Sequence, residues 1–180
     1  MNLADAIQTR WSPREFTPRA LDKRLLEEIF LAVRMAQSSF NEQPWRYLIA
    51  MKTDQPLRDQ LEGLLVEGNA FAREAAVLGI SFARLTFTRN QKPNRVAWHD
   101  LGAANQILAL KAFDLGLNTR FMAGFDADKA KAFAPPEFTP VAMFVIGHAA
   151  EKALQAGPEN RHRKALADFV FGSSWGRSFF

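Results

Sequence analysis

A chain of 180 residues is long enough for one domain with a sizeable core, and it contains no cysteine, which excludes a disulfide framework and thiolate metal sites. The 23 Lys and Arg against 19 Asp and Glu leave a net charge of +4, too mild to imply nucleic acid by itself. No apolar run approaches the length of a membrane span, and Met1-Asn2-Leu3-Ala4-Asp5 lacks the layout of a signal peptide, so a cytoplasmic protein is expected.

In chain order, Leu3 to Thr9 reads as a short helix that ends at Arg10-Trp11-Ser12-Pro13-Arg14. Two arginines flanking a hydroxyl suit a phosphate, because guanidinium forks bind it with paired, charge-assisted bonds. A basic helix end complementing the helix dipole is the other reading. Asp22 is placed to cap a second helix running to about Gln37, with Leu25, Leu26, Ile29, Phe30, Val33 and Ala36 as its buried stripe.

The nine residues Ser38-Ser39-Phe40-Asn41-Glu42-Gln43-Pro44-Trp45-Arg46 separate that helix from a strand at Tyr47–Met51. Two hydroxyls and two amides in one loop are dense in hydrogen-bonding groups, and amides that donate and accept suit a ring edged with carbonyls and nitrogens. Pro44 stiffens the entry to the strand, and Trp45 can pin the loop to the core. A polar connection closing a helix–strand unit is the alternative.

Thr53-Asp54-Gln55-Pro56 turns into a helix bearing Leu57, Leu61, Leu64 and Leu65, which Gly68-Asn69-Ala70-Phe71 interrupts. A second short helix then leads into Ala75 to Phe82, which reads as a buried strand. Within it, Gly79-Ile80-Ser81-Phe82-Ala83 lacks the final glycine of a hydrolase nucleophile elbow. No Gly-x-Gly-x-x-Gly motif occurs, which argues against a resident dinucleotide.

Thr86 to Val96 is polar, basic and broken by Pro93, hence an expected exposed loop. His99-Asp100 opens a long helix that Gly116 is placed to end, and Gly102 with the nearby alanines permits close packing on a neighbour. Asn118 to Met122 reads as a strand, followed by the turn Ala123-Gly124-Phe125-Asp126 and a helix capped by Asp126. Val141 to Gly147 is the last strand. The tail carries Arg161-His162-Arg163-Lys164 and then Leu166, Phe169, Val170, Phe171, Trp175, Phe179 and Phe180. So many aromatics should dock on this chain or on a second one. The three histidines lack metal-ligand spacing, and no nucleophile–base pair stands out.

Taken together, Arg10-Trp11-Ser12-Pro13-Arg14, the Ser-Ser-x-Asn-x-Gln-Pro-Trp loop and the Asp100-Leu101-Gly102 helix resemble the FMN-dependent nitroreductase family. The resemblance implies an α+β fold with a central mixed, mainly antiparallel sheet flanked by helices. It further implies a single domain over residues 1–180, working as an intertwined homodimer whose C-terminal arm, from about residue 155, embraces the partner subunit. Arg10, Trp11, Ser12, Arg14, Arg161 and Arg163 would then serve the ribityl phosphate end of FMN. Ser38, Ser39, Asn41, Gln43 and Asn69 would address the ring or ribityl chain. Met122, Ala123 and Gly124 would lie against the ring, with the Gly124 backbone near its reactive nitrogen. Ala123 stands where many members carry glutamate or glycine.

On this reading no side chain is catalytic, because the flavin carries the hydride chemistry from NAD(P)H to a flat acceptor such as a nitroaromatic or quinone. The same fold also suits reductive dehalogenation or flavin breakdown. A basic nucleic-acid-binding module is the alternative from another class.

Overall fold

The computed structural model describes residues 2–157 and 161–180. Four strands form one sheet in the order β1-β2-β4-β3: β1 (Trp45–Met51), β2 (Val77–Arg84), β3 (Asn118–Met122) and β4 (Phe138–Gly147). All three pairings are antiparallel, so the expected mixed sheet is a wholly antiparallel one among the described residues. Around it lie helices α1 (Leu3–Thr9), α2 (Lys23–Val33), α3 (Leu57–Glu62), α4 (Ala97–Asp114), α5 (Ala127–Ala130) and α6 (Glu151–Ala156). The fold is α+β, as expected.

Successive strand residues point to opposite faces, and both faces here are covered. Val77, Phe144 and Ile146 face a core built with Leu26, Ile29 and Val33 of α2 and Leu101, Ala104 and Leu108 of α4. Leu78, Ile80, Phe82, Met143 and Val145 face a second core with Leu61, Leu64 and Ala72. This double burial explains why β2 reads as an unbroken apolar run. A register shift at Ser81/Phe82 sits beside Pro140, whose missing N–H a bulge accommodates.

Several boundaries differ from the sequence expectations for local reasons. Helix α2 stops at Val33 and not near Gln37; Met35 and Ala36 donate to Ala32 and Val33 in tighter, three-residue turns. Ala36 stays buried all the same, so its apolar position is core although it is not α-helical. Gly68 to Phe71 does not interrupt a helix but lies inside a 3-10 helix, Glu67–Glu74. The segment 86–96 is not simply an exposed loop. Thr86 bridges Pro93, the Phe87 amide donates to the Lys92 carbonyl, and Asn94 is buried. Gly116, at φ +75°, ends α4 as expected.

Asp100 lies inside the first turn of α4, which starts at Ala97, and its carboxylate is buried. It serves a distant amide, that of Ser39, in place of its own helix end. Most of the tail's large apolar side chains stay exposed, while Val170 and Phe171 are half-buried. Phe171 and Ser178 bridge to make a small hairpin, yet Trp175 remains 92% exposed and Phe180 77%.

Candidate flavin site in two parts

The predicted site residues fall into two groups. The first gathers along the outer side of β3. The backbone of Glu15 and Thr17 bonds to that of Ala150 and His148, just past the end of β4, and Arg120 of β3 donates to the Ser12 carbonyl. The Arg10 guanidinium donates to Ser12 Oγ at 3.2 Å. Arg161, arriving from the tail, donates to the carbonyls of Gln8 at 2.6 Å and Ile7 at 3.2 Å, at the end of α1. These carbonyls are the acceptors that a helix terminus leaves unpaired.

The cations lie close enough to act on one another. Burial pulls the Arg10 guanidinium below its ordinary pKa, and the positive charges of Arg161 and then Arg163 add to the shift. Arg120 of β3 is lowered in the same way, by burial first and then by Arg14. None of Arg10, Arg14, Arg120, Arg161 and Arg163 has a carboxylate within salt-bridge distance among the described residues. Like charges held together without counter-charge are unfavourable, and a dianion placed among them relieves the repulsion.

Sequence reasoning missed Arg120. Phe121 packs on Phe144 in one core, whereas Met122 is buried in the other, so position 120 shares the parity of a buried residue. A charge at such a position was the available signal. Its guanidinium donates to the Ser12 carbonyl at 2.6 Å and lies 5.6 Å from the Phe71 ring centre, while its buried Nε has no partner among the described residues.

Further along the same edge, the Asn69 amide donates to the Gly124 carbonyl at 2.7 Å. Leu65 bridges Phe125, and the Asp126 amide bonds to Leu64, so residues 64–69 run beside the turn after β3. A Cβ on Gly124 would come within 3.1 Å of Asn69 Nδ2 and of Val66 Cγ2. A side chain here would have to push these two neighbours back by a few tenths of an ångström, and the residues present leave Ala123 and Gly124 exposed. Four residue steps separate Arg120 from Gly124, up to roughly 13 Å of extended chain. Trp11 is half-buried beside the cationic end and Met122 is fully buried.

The second group is the loop 38–43, held in a shape that no glycine marks. Phe40, Asn41 and Gln43 all adopt left-handed backbone conformations, at φ 54°, 54° and 50°. Uncommon for non-glycine residues, such angles persist where surroundings impose them. Ser38 Oγ accepts from the Gln43 amide at 3.0 Å, and Asn41 Oδ1 accepts from Gln43 Nε2 at 3.2 Å. Asp100 takes the Ser39 amide at 2.9 Å. On the outer side, Glu42 accepts from both the amide and the hydroxyl of Thr88, and Arg89 lies 3.9 Å over the Phe40 ring. The basic hairpin is therefore a brace for this loop.

Within one chain the two groups do not meet. They sit beyond opposite edge strands, β1 and β3, with two strands between, on the order of 14 Å at the usual strand spacing. No hydrogen bond joins them among the described residues. An apolar groove of about 350 Å³ lies elsewhere, between α1 and α4, lined by Leu3, Ala6, Ile107 and Leu110.

The sequence profile of the nitroreductase family matches residues 7–83. A crystal structure described as an oxidoreductase containing FMN is 31% identical to this chain, with a TM-score of 0.84 over 95% of this chain and 91% of the other. The chain belongs to the nitroreductase family. A second structure, a putative nitroreductase in complex with FMN from Desulfovibrio desulfuricans, is 26% identical, with a TM-score of 0.77 and coverage of 97% and 98%. A 15.4 kDa protein in the ask 5' region of Mycolicibacterium smegmatis is 33% identical over 123 residues, 64% of this chain and 82% of its own length. By family the protein is an oxidoreductase, and no helix among the described residues is long and apolar enough to cross a membrane.

Proposed function

We propose that this nitroreductase-family protein is an FMN-dependent oxidoreductase that takes a hydride from NAD(P)H and reduces a flat acceptor, a nitroaromatic or quinone. One observation carries the reading: five guanidinium side chains converge beside β3 with no carboxylate partner among the described residues. The exposed backbone of Ala123 and Gly124 lies further along the same edge. A phosphate monoester with a planar ring fits that order of groups. The donor set suits FMN, and the similar structure from Desulfovibrio desulfuricans contains it.

Arg10, Arg14, Arg161 and Arg163 would hold the phosphate, with the Ser12 hydroxyl beside them. Asn69, braced by the Gly124 carbonyl, would fix the near edge of the ring, and the Ala123 and Gly124 amides would face it. When bound, FMN supplies two-electron chemistry, accepting hydride from one partner and giving it to the next. No acidic side chain stands at position 123, so the chain's own task there is backbone contact and shielding. Trp11 and Met122 would screen the cofactor from water.

Ser38, Ser39, Asn41 and Gln43 lie too far away in the same chain to share this site. In a homodimer the loop of a second copy would close the ring pocket from the opposite side. The loop is already tied down by Asp100, by the Thr88 contact to Glu42 and by its own side chains, so it would lose little entropy on closing.

The purified protein is expected to be yellow, with a flavin absorption band and one FMN per chain. Arg14→Ala is expected to weaken FMN retention about tenfold to a hundredfold, the worth of one charge-assisted contact. Steady-state assays with NAD(P)H and menadione or nitrofurazone then test the acceptor class. A colourless protein that takes up no added FMN overturns the reading.

A further inference from the structure

Arg120 has no place in the sequence pattern, and its surroundings are unusual for a strand residue. It is a partly buried cation with Arg14 as a charged neighbour, and Nε lacks an acceptor among the described residues. A short hydrogen bond, at 2.6 Å, runs from it to the carbonyl of Ser12, midway between Arg10 and Arg14. A neutral donor would serve as well if the role were only to pin that carbonyl. A charge left without counter-charge in such a place raises the free energy of the empty protein.

We infer that Arg120 is a positioning residue for the FMN phosphate, fixing the Ser12 segment so that Arg10 and Arg14 aim at it and adding its own charge behind them. The inference rests on the FMN reading above and extends it to a residue on a different element. In this role Arg120 would not need to touch the phosphate. It acts through the Ser12 backbone, which it anchors from β3, and through the field it adds to a site already rich in arginine. The recognised chemistry is a phosphate monoester dianion at the end of a polyol chain that carries a flat ring.

Two flavins separate this role from general packing: FMN and riboflavin differ only in the phosphate. Titrations monitored by flavin fluorescence are expected to show FMN binding weakened about tenfold or more by Arg120→Met, with riboflavin binding little changed. Arg120→Lys keeps a charged donor and is expected to recover most of the loss. The unfolding midpoint of flavin-free wild-type protein should rise more in inorganic phosphate than in chloride at equal ionic strength, and this increment should shrink in Arg120→Met. If Arg120→Met weakens both flavins alike, or neither, the inference is overturned while the FMN reading stands. If Arg120→Lys behaves as Arg120→Met, the charge has no part in the effect and the inference also fails. A wild-type protein that binds neither flavin removes both at once. Unfolding curves for each variant show whether a loss reflects an unfolded chain, and in that event Arg120→Lys against wild type decides the question.

Discussion

The buried carboxylate of Asp100 accepts the backbone N–H of Ser39 at 2.9 Å, joining the loop 38–43 to the long helix across 61 residues of sequence. That bond holds a loop whose backbone angles are unfavourable by themselves. Asp100→Ala leaves the amide without an acceptor and is expected to cost about 1–3 kcal/mol in urea unfolding. Asp100→Asn retains an acceptor oxygen and should recover much of it. If both substitutions leave stability and flavin affinity unchanged, the loop is held by its own contacts with Thr88 and Arg89.

Asn69 and Gly124 make a second testable pair. A methyl group at Gly124 meets Asn69 Nδ2 at 3.1 Å, so Gly124→Ala displaces the amide that bonds the Gly124 carbonyl. Each of Gly124→Ala and Asn69→Ala is expected to cost about 1 kcal/mol, and the double variant less than the sum, because both remove one contact. Strict additivity in a double-mutant cycle would show the two residues to be uncoupled.

Elements with local signals were the legible part of this fold. Asn118–Met122 and Leu3–Thr9 are strand and helix with the ends expected of them, and the Asp22 and Asp126 side chains do cap α2 and α5. Caps and periodicity act over a few residues, so a linear reading finds them. Arg120 and the Asp100–Ser39 bond depend on which elements lie side by side, and no short-range pattern encodes that. The left-handed residues of loop 38–43 escaped for another reason: Phe40, Asn41 and Gln43 are held there by tertiary contacts, not by glycine. The separation of the site into two groups became visible only with the strand order.

His148 offers a pH prediction. Burial, with a smaller contribution from the positive charge of Arg19, holds its imidazole below its ordinary pKa of 6.5. Above that pH both folded and unfolded states carry a neutral ring, so stability does not depend on this group. As pH falls below 6.5, the unfolded chain binds the proton first, and stability declines until the lower folded-state value is passed. His148→Gln should therefore flatten part of the acid-side decline in thermal midpoint. An unchanged slope would mean that the imidazole titrates alike in both states.

The exposed aromatic tail bears on whether the site is completed by a second copy. Phe171 and Trp175 lie with ring centres 5.1 Å apart, tilted by 55°, within the small hairpin, yet Trp175 is 92% exposed, and Leu166, Phe169, Phe179 and Phe180 are also open to solvent. Gly102 and Trp98 on α4 likewise face open space in the single chain. Apolar surface of this extent marks an interaction face. Sedimentation equilibrium is expected to show a dimer, and Trp175→Asp with Phe179→Asp should weaken it about thirtyfold or more, since buried aromatic anchors dominate such interfaces. The same variant should lose FMN as it dissociates, because loop 38–43 and the β3 edge would come from different copies. A wild-type monomer that retains FMN at full occupancy would refute the shared site, and one chain's β3 edge alone would then hold the cofactor.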